Sequence, residues 1–226
     1  GKVYLFNDEF TNYNDTGIGI KTILLLNNLG YEVEIPPHLE SGRTYLSKGL
    51  LRKAKQIANK NVQLLADIVS KEVPILGVEP STILSFRDEY PELVDENLME
   101  KANKLALHSF TIEEFISREF EEGRISKDSF IQDYKHIKFH GHCQQKALSG
   151  TSATLKMLSI PENYKVEEIP SGCCGMAGSF GYEKEHYDLS MQVGELVLFP
   201  EVRNSKPDTE IIAAGTSCRH QINDGT

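Results

Sequence analysis

The sequence predicts an α/β protein made of two tandem Rossmann-like parallel-sheet repeats, related by internal duplication and joined by a helical segment. Three observations indicate this: strand-like runs alternate with helical patterns, the alternation occurs twice, and matching positions recur in the two halves. Such alternation is typical of parallel sheets with right-handed crossovers. We expect a first repeat over residues 1–92, a helical connection over 93–135 and a second repeat over 136–226.

The first half shows the alternation in five segments. Two stretches carry apolar residues at helical spacing, and Gly30 is well placed to end the first of them. The predicted strands are residues 3–6, 31–35 and 75–78, and the predicted helices are residues 19–29 and 47–69.

The rest of the chain begins with a long helical pattern over residues 91–122, which we interpret as the connection between the repeats. A second alternation of strands and helices follows it. The predicted strands there are residues 137–139, 166–169 and 211–214, and the predicted helices are residues 151–158 and 184–199.

Three positions that follow strands in the first half match the positions of cysteines in the second. Glu9 matches Cys143, Glu40-Ser41 matches Cys173-Cys174, and Thr82 matches Cys218. The intervals between these positions agree within a few residues, which favours duplication over a chance similarity of two α/β halves. Only the second copy carries cysteines.

The composition limits the classes of partner. The chain has a net charge of −9 and no lysine or arginine cluster, which argues against nucleic acid or an anionic membrane surface. No apolar run approaches the ~20 residues that a transmembrane segment needs, and no signal peptide is visible. These features favour a cytoplasmic protein. Gly1 and the uncapped last residues suggest a fragment of something longer.

All four cysteines lie after residue 142. A secreted disulfide scaffold would be shorter and would spread its cysteines more evenly. The clustering therefore favours a cytosolic metal or redox site, with two disulfides or four inert buried thiols as open alternatives.

The cysteines Cys143, Cys173, Cys174 and Cys218 each follow a predicted strand, and the carboxyl ends of parallel strands face one crevice. Four thiolates are a soft ligand set that suits an iron–sulfur cluster or zinc. The adjacent pair reaches one site only from an irregular loop, for which Gly175 supplies backbone freedom. The absence of paired Cys-x-x-Cys knuckles favours a cluster over zinc.

Three histidines, His140, His142 and His220, lie close to these cysteines in the sequence. Each could ligate a metal, donate to a cluster sulfide or move a proton coupled to electron transfer. We expect His142 and His220 to contact the ligand cysteines rather than to bind the metal directly. The backbone of Gly175 is expected to approach the sulfurs in the same way.

Two other kinds of function stay open from the residues alone. One is a structural zinc or metal-free scaffold module of a redox complex. The other is a catalyst that acts on disulfides through Cys173 or Cys174, although the segment after Cys218 lacks the second cysteine of a Cys-x-x-Cys motif. No general base, flavin fingerprint or set of arginines for a substrate anion is evident, so the chain alone is not expected to oxidise a substrate.

Three motifs carry a resemblance to a known family. They are HGHC at residues 140–143, SGCCGMAGSFG at residues 171–181 and TSCRHQ at residues 216–221. Together they resemble the cysteine-rich CCG domain family. That family includes a component of heterodisulfide reductase, the iron–sulfur component of glycolate oxidase and the iron–sulfur part of flavin-linked D-lactate dehydrogenases. Its members typically carry two CCG domains in tandem.

The resemblance implies an iron–sulfur electron-transfer module of a flavin-linked 2-hydroxyacid oxidoreductase of the D-lactate or glycolate type. It implies one 4Fe–4S cluster on the four cysteines, with FAD on another domain or subunit. The implied partners are a flavin-binding domain or subunit, an additional ferredoxin-type domain, and a quinone or other electron acceptor. Such partners would place a cytoplasmic protein peripherally at the inner face of a membrane.

The chain departs from the family pattern at two places. The first copy carries Glu9, Glu40-Ser41 and Thr82 where family members often have cysteines, so it cannot bind a thiolate-ligated cluster and is interpreted as structural. Gln221 stands where the heterodisulfide reductase pattern has its last cysteine. This brings the chain nearer to the glycolate and D-lactate branch.

Overall fold

The computed structural model describes residues 1–226, which divide into two compact units, residues 1–115 and 116–226. Each unit contains one parallel β-sheet with helices packed around it. The predicted α/β class with two parallel sheets is therefore confirmed. The division into residues 1–92, 93–135 and 136–226 stays a prediction.

The first unit contains a four-stranded sheet with the strand order β2-β1-β3-β4. All three pairs of neighbouring strands are parallel. Its elements are β1 (Lys2–Phe6), α1 (Glu9–Tyr13), α2 (Thr16–Asn28), β2 (Glu32–Glu34), α3 (Arg43–Ser47), α4 (Leu51–Leu65), β3 (Ile75–Gly77), α5 (Pro80–Ile83), α6 (Glu89–Leu93), α7 (Met99–Leu107) and β4 (Ser109–Thr111). Helix α8 (Ile112–Glu121) leads from the first unit into the second.

Apolar periodicity explains how α4 packs. Its side chains at Ala54, Ala58, Val62 and Leu65 recur at intervals of three and four residues and are all buried. Residues at this spacing lie on one face of a helix, so this apolar face of α4 packs into the core. Full burial of a side chain the size of Leu65 contributes about 1.5–3 kcal/mol.

One expectation for the first unit was wrong. The helical pattern predicted over residues 91–122 is interrupted by strand β4, Ser109–Thr111. This strand pairs in parallel with β3, with Phe110 beside Leu76. The buried hydroxyl of Ser109 donates to the carbonyl of Leu105 at 2.7 Å, which ties the strand to the end of α7. Tertiary pairing overrides the local pattern here.

The second unit contains a three-stranded parallel sheet with the order β6-β5-β7. Its elements are β5 (Lys135–His140), α9 (Cys143–Leu148), α10 (Ser152–Leu158), β6 (Tyr164–Glu168), α11 (Tyr187–Glu195), α12 (Leu198–Arg203), β7 (Thr209–Ala213) and α13 (Thr216–Gly225). In the ladder, Phe139 lies opposite Glu168 and His140 opposite Ala213. The three strands therefore end at one edge of the sheet.

Several segments of the second unit differ from the predicted pattern. The helix predicted over residues 184–199 is divided into a 3-10 turn at Lys184–His186 and the two helices α11 and α12. Helices α9 and α13 were not predicted. None of the helices in the chain has the length and apolar character that crossing a bilayer requires.

Candidate metal centre

The carboxyl edge of the second sheet gathers all four cysteines. Cys143 is the first residue of α9, which follows β5, and Cys218 lies in the first turn of α13, which follows β7. Cys173 and Cys174 lie in the irregular segment after β6. The topology thus brings together four residues that are spread over 76 positions of the chain.

The thiol groups contact one another in a row. The Cys173 thiol lies beside those of Cys143 and Cys174, and the Cys174 thiol also lies beside that of Cys218. All four are free thiols. The arrangement is one cluster of donors rather than two separate pairs.

Burial divides the four thiols into an inner pair, Cys174 and Cys218, and an outer pair, Cys143 and Cys173. The inner pair is 2% and 1% exposed and belongs to an apolar core cluster that includes Phe199. The outer pair is half-buried. A group bound to all four sulfurs would have one side embedded in protein and the other close to solvent.

The segment after the cysteine pair turns its backbone amides toward sulfur. The Gly175 N–H donates to the Cys173 sulfur over 3.3 Å, and Ala177 adds a second backbone bond to the same atom. The Met176 N–H bonds to the sulfur of Cys174. Gly175 has φ +105°, and a Cβ there would lie 2.2 Å from the Ser190 carbonyl oxygen. Only glycine fits this position.

The electrostatics of the four thiols are coupled. The neighbouring thiols of Cys143 and Cys174 lower the pKa of Cys173, and the neighbouring thiol of Cys174 lowers that of Cys218. The pKa values of Cys143 and Cys174 rise because of the neighbouring sulfurs and because Cys143 is half-buried and Cys174 is buried. Since adjacent thiolates repel, ionising all four requires a cation among them.

His140 is the histidine that lies against the thiols. One of its ring nitrogens lies within 4.8 Å of the sulfurs of both Cys174 and Cys218. The ring is fully buried, and its Nδ1 bonds to the Ser171 hydroxyl at 2.7 Å. Its Nε2 has no hydrogen-bond partner, yet the ring is close enough to help lower the pKa of Cys218, after the larger effect of Cys174.

The other two histidines have different surroundings. His142 caps α9 by accepting a hydrogen bond from the Gln144 N–H at 3.2 Å, and its ring packs so closely on Gly215 that a Cβ there would lie 2.4 Å from a ring carbon. His220 bonds through Nδ1 to the Tyr182 hydroxyl at 2.7 Å. The group whose atoms could jointly hold a metal comprises His140, Cys174 and Cys218, and it includes neither of these histidines nor Cys143 and Cys173. The contact of His142 and His220 with a bound group stays a prediction.

Two further side chains hold the site together. Lys146 donates to the carbonyls of Ser171 and Gly172 at 2.5 and 3.2 Å and so fixes the start of the cysteine segment. Gln221 is buried and donates to the Ser190 carbonyl and hydroxyl, both at 3.0 Å. Lys146 was not predicted as a site residue, and its only signal in the sequence is its position three residues after Cys143.

The donor set suits a soft metal group. Four adjacent sulfurs with several amides pointing at them, and a buried imidazole nitrogen without an oxygen or nitrogen partner, match the needs of an iron–sulfur cluster or of zinc. Hard cations such as Mg²⁺ and Ca²⁺ need oxygen ligands instead. The residues present therefore fit the group that the sequence predicts.

Comparison with known proteins finds related dehydrogenase components. D-2-hydroxyglutarate dehydrogenase of Pantoea ananatis is 28% identical over 98% of this chain and 21% of its own length. A component of the anaerobic glycerol-3-phosphate dehydrogenase of Escherichia coli is 27% identical over 98% of this chain and 54% of its own length. Lactate utilization protein A of Bacillus subtilis is 24% identical over 99% of this chain and 90% of its own length.

The chain thus spans about a fifth of the D-2-hydroxyglutarate dehydrogenases it matches, which are much larger proteins. No model of a known protein family matches it. The similarity supports an oxidoreductase module, and it extends over nearly the whole chain, including both units.

Proposed function

We propose that this chain is an iron–sulfur electron-transfer module of a flavin-linked 2-hydroxyacid oxidoreductase. Cys143, Cys173, Cys174 and Cys218 would hold a single 4Fe–4S cluster. The observation that carries the proposal is the assembly of all four free thiols at one sheet edge. The similarity to D-2-hydroxyglutarate dehydrogenase and to a lactate utilization protein supports the substrate class.

The residues of the chain have separable roles in this proposal. When bound, a cluster supplies one-electron steps between a two-electron flavin and an acceptor. The amides of Gly175, Met176 and Ala177 stabilise negative charge on sulfur. The apolar core around Cys174 and Cys218 excludes water from the inner side. The half-buried sulfurs of Cys143 and Cys173 define the side on which electrons enter or leave.

The partners belong to the proposal as well. FAD would lie on another domain or subunit, a ferredoxin-type domain would relay electrons, and a quinone or similar carrier would accept them. One relative is named for glycerol-3-phosphate rather than for a hydroxyacid. For this reason we propose only the class of oxidoreductase to which the module belongs. The flavin-binding part would determine which acid is oxidised.

Internal duplication also remains part of the proposal. Both sheets place their second and third strands on opposite sides of their first strand, which supports it. In the first unit, Glu9 and Ser41 occupy the positions that match Cys143 and Cys174, and they are hydrogen-bonded to each other. A duplicated copy without cysteines would thus have closed its site with a polar pair.

The test is anaerobic purification followed by iron and sulfide analysis and EPR of the reduced protein. We expect about four iron atoms and four sulfides per chain, as the 4Fe–4S stoichiometry requires. C173S and C174S should each lose the visible absorbance of a thiolate-ligated iron–sulfur cluster. S179A, which removes a nearby hydroxyl but no thiol, is the control. Unchanged iron content in both cysteine variants would refute the ligand assignment.

Structural zinc is the second candidate, and one observation favours it. His140, Cys174 and Cys218 form a buried group with the mixed nitrogen and sulfur donors of tetrahedral zinc sites. Zinc at one equivalent, without sulfide, in protein purified anaerobically from medium containing both metals would favour this candidate over the cluster.

A further inference from the structure

If the four cysteines hold the cluster, the buried imidazole of His140 still has no assigned role. The residue ends β5, the central strand of the second sheet, and is fully buried. A buried imidazole nitrogen without a partner is costly, since it has lost water and gained nothing in return. The Nε2 atom of His140 is such a nitrogen, since it has no hydrogen-bond partner in this structure.

The contact with Ser171 decides which nitrogen carries the proton. The Ser171 hydroxyl is buried, and its single hydrogen bond is the one to His140 Nδ1 at 2.7 Å. A hydroxyl proton needs an acceptor, and Nδ1 is the one that this hydroxyl meets. With Nδ1 accepting, the neutral ring carries its proton on Nε2.

Two of the proposed ligand sulfurs lie near the ring of His140. The sulfurs of Cys174 and Cys218 lie within 4.8 Å of the ring nitrogen, and both belong to the inner pair. Since Nε2 makes no hydrogen bond in this structure, its N–H would donate to a thiolate after a small approach of the ring to the ligand sulfurs. Donation to a ligand sulfur stabilises the more negative, reduced form of a bound cluster and raises its reduction potential.

We propose that His140 is a positioning residue that donates an Nε2–H hydrogen bond to an inner ligand sulfur and thereby sets the reduction potential, with Ser171 fixing its tautomer. This inference rests on the proposed function. It assigns His140 to tuning rather than to ligation, and it assigns the tuning to the buried side of the site.

The first experiment is an EPR-monitored redox titration of anaerobically purified wild type, H140N and H140Q. Asn retains a polar group toward Ser171 but does not reach the sulfurs, whereas Gln can restore an N–H near the place of Nε2. We expect H140N to keep its iron and sulfide but to be reduced about tenfold less favourably, a fall of about 59 mV for a one-electron couple. H140Q should recover most of this loss.

Two outcomes would overturn the inference. An unchanged potential in H140N with intact iron content would show that no hydrogen bond from His140 matters. Loss of iron from folded H140N and H140Q alike would make His140 a ligand instead. A wild type without iron and sulfide would defeat the proposed function and the inference together, and this is seen before any variant is made.

The second experiment needs no variant and decides the question if the substitutions prevent folding. Wild-type protein labelled with ¹⁵N-histidine is reduced and measured by ENDOR. A weak ¹⁵N coupling, together with a proton coupling that disappears in D₂O, is the expected signature of a donated hydrogen bond. The absence of ¹⁵N coupling, or the strong coupling of a directly bound nitrogen, would contradict the inference.

Discussion

The Glu9 carboxylate accepts two hydrogen bonds from Ser41, one from its backbone N–H at 2.8 Å and one from its hydroxyl at 2.7 Å. This pair joins the start of α1 to the residues before α3, across 32 positions of the chain. Ser41 is fully buried, and Glu9 is the acceptor for both its N–H and its hydroxyl proton.

From this pair we predict that E9A lowers the free energy of unfolding of the first unit by about 1–3 kcal/mol, because the buried Ser41 N–H loses its acceptor. Urea unfolding measured by circular dichroism checks the change. E100A, on an exposed position of α7, should stay within about 0.5 kcal/mol of wild type. Equal effects of the two substitutions would contradict the assignment.

Two buried carboxyls make the first unit sensitive to pH. Burial, together with the nearby carboxylates Glu79 and Glu9, raises the pKa of Asp8 from 3.8 to about 7. Burial, aided by Glu114 and Glu79, raises the pKa of Glu113 from 4.5 to about 7. In each case the folded state holds a proton that the unfolded chain releases at lower pH.

Proton linkage determines whether the free energy of unfolding rises or falls with pH. Between about pH 4 and pH 7 the folded state binds more protons, so the unfolding free energy contributed by these groups falls as pH rises and levels off above 7. The slope is at most about 1.4 kcal/mol per pH unit for each group. Between pH 5 and pH 8 the urea midpoints of D8N and E113Q should change less with pH than that of wild type. The midpoint of D133N, a substitution at an exposed position, should change with pH as in wild type. A wild-type midpoint that rises across this range would refute the prediction.

The inner and outer cysteines should respond differently to substitution in metal-free protein. C174S and C218S place a hydroxyl in the apolar core of the second unit, which costs about 1–3 kcal/mol. C143S and C173S change half-buried positions and should cost less than about 0.5 kcal/mol. Denaturant unfolding in the presence of a chelator gives the comparison. Similar losses of unfolding free energy in all four variants would show that the difference in burial does not affect stability.

The glycines on either side of the cysteine pair provide a matched test of the loop. G175A forces a Cβ against the Ser190 carbonyl at a φ of +105°, which costs about 1–3 kcal/mol in backbone strain alone and more from the clash. G172A adds a Cβ into open space at an exposed position and should be nearly neutral. Thermal unfolding separates the two. A stable G175A variant that still binds metal would show that the loop adopts another path.

Much of the site could be predicted because the order and direction of the strands bring the cysteines to one edge of the sheet. Once three strands were predicted ahead of Cys143, Cys173 and Cys218, the shared direction of parallel strands required their carboxyl ends to meet. The adjacency of Cys173 and Cys174 also predicted an irregular segment, which is what the structure contains. These inferences need only the order of elements, and they tolerate errors of a few residues at each boundary.

The remaining features depend on packing that no local pattern encodes. Strand β4 has three residues and is stabilised by pairing with β3. The sequence places His140, His142 and His220 within three residues of a cysteine, and only the three-dimensional arrangement turns His140 inward toward Ser171. Helices α9 and α13 begin at the cysteine motifs themselves, where polar residues obscure the apolar periodicity.

If the ligand assignment holds, the inner pair also couples metal binding to the stability of the second unit. Since Cys174 and Cys218 are at once proposed ligands and members of the core, a chain made during iron starvation would lack the stabilisation that a bound cluster adds and would be cleaved more readily by proteases. Its half-life, followed by pulse-chase labelling, should shorten when iron is withheld and recover on resupply. Abundance would then report iron status directly, without a dedicated regulator.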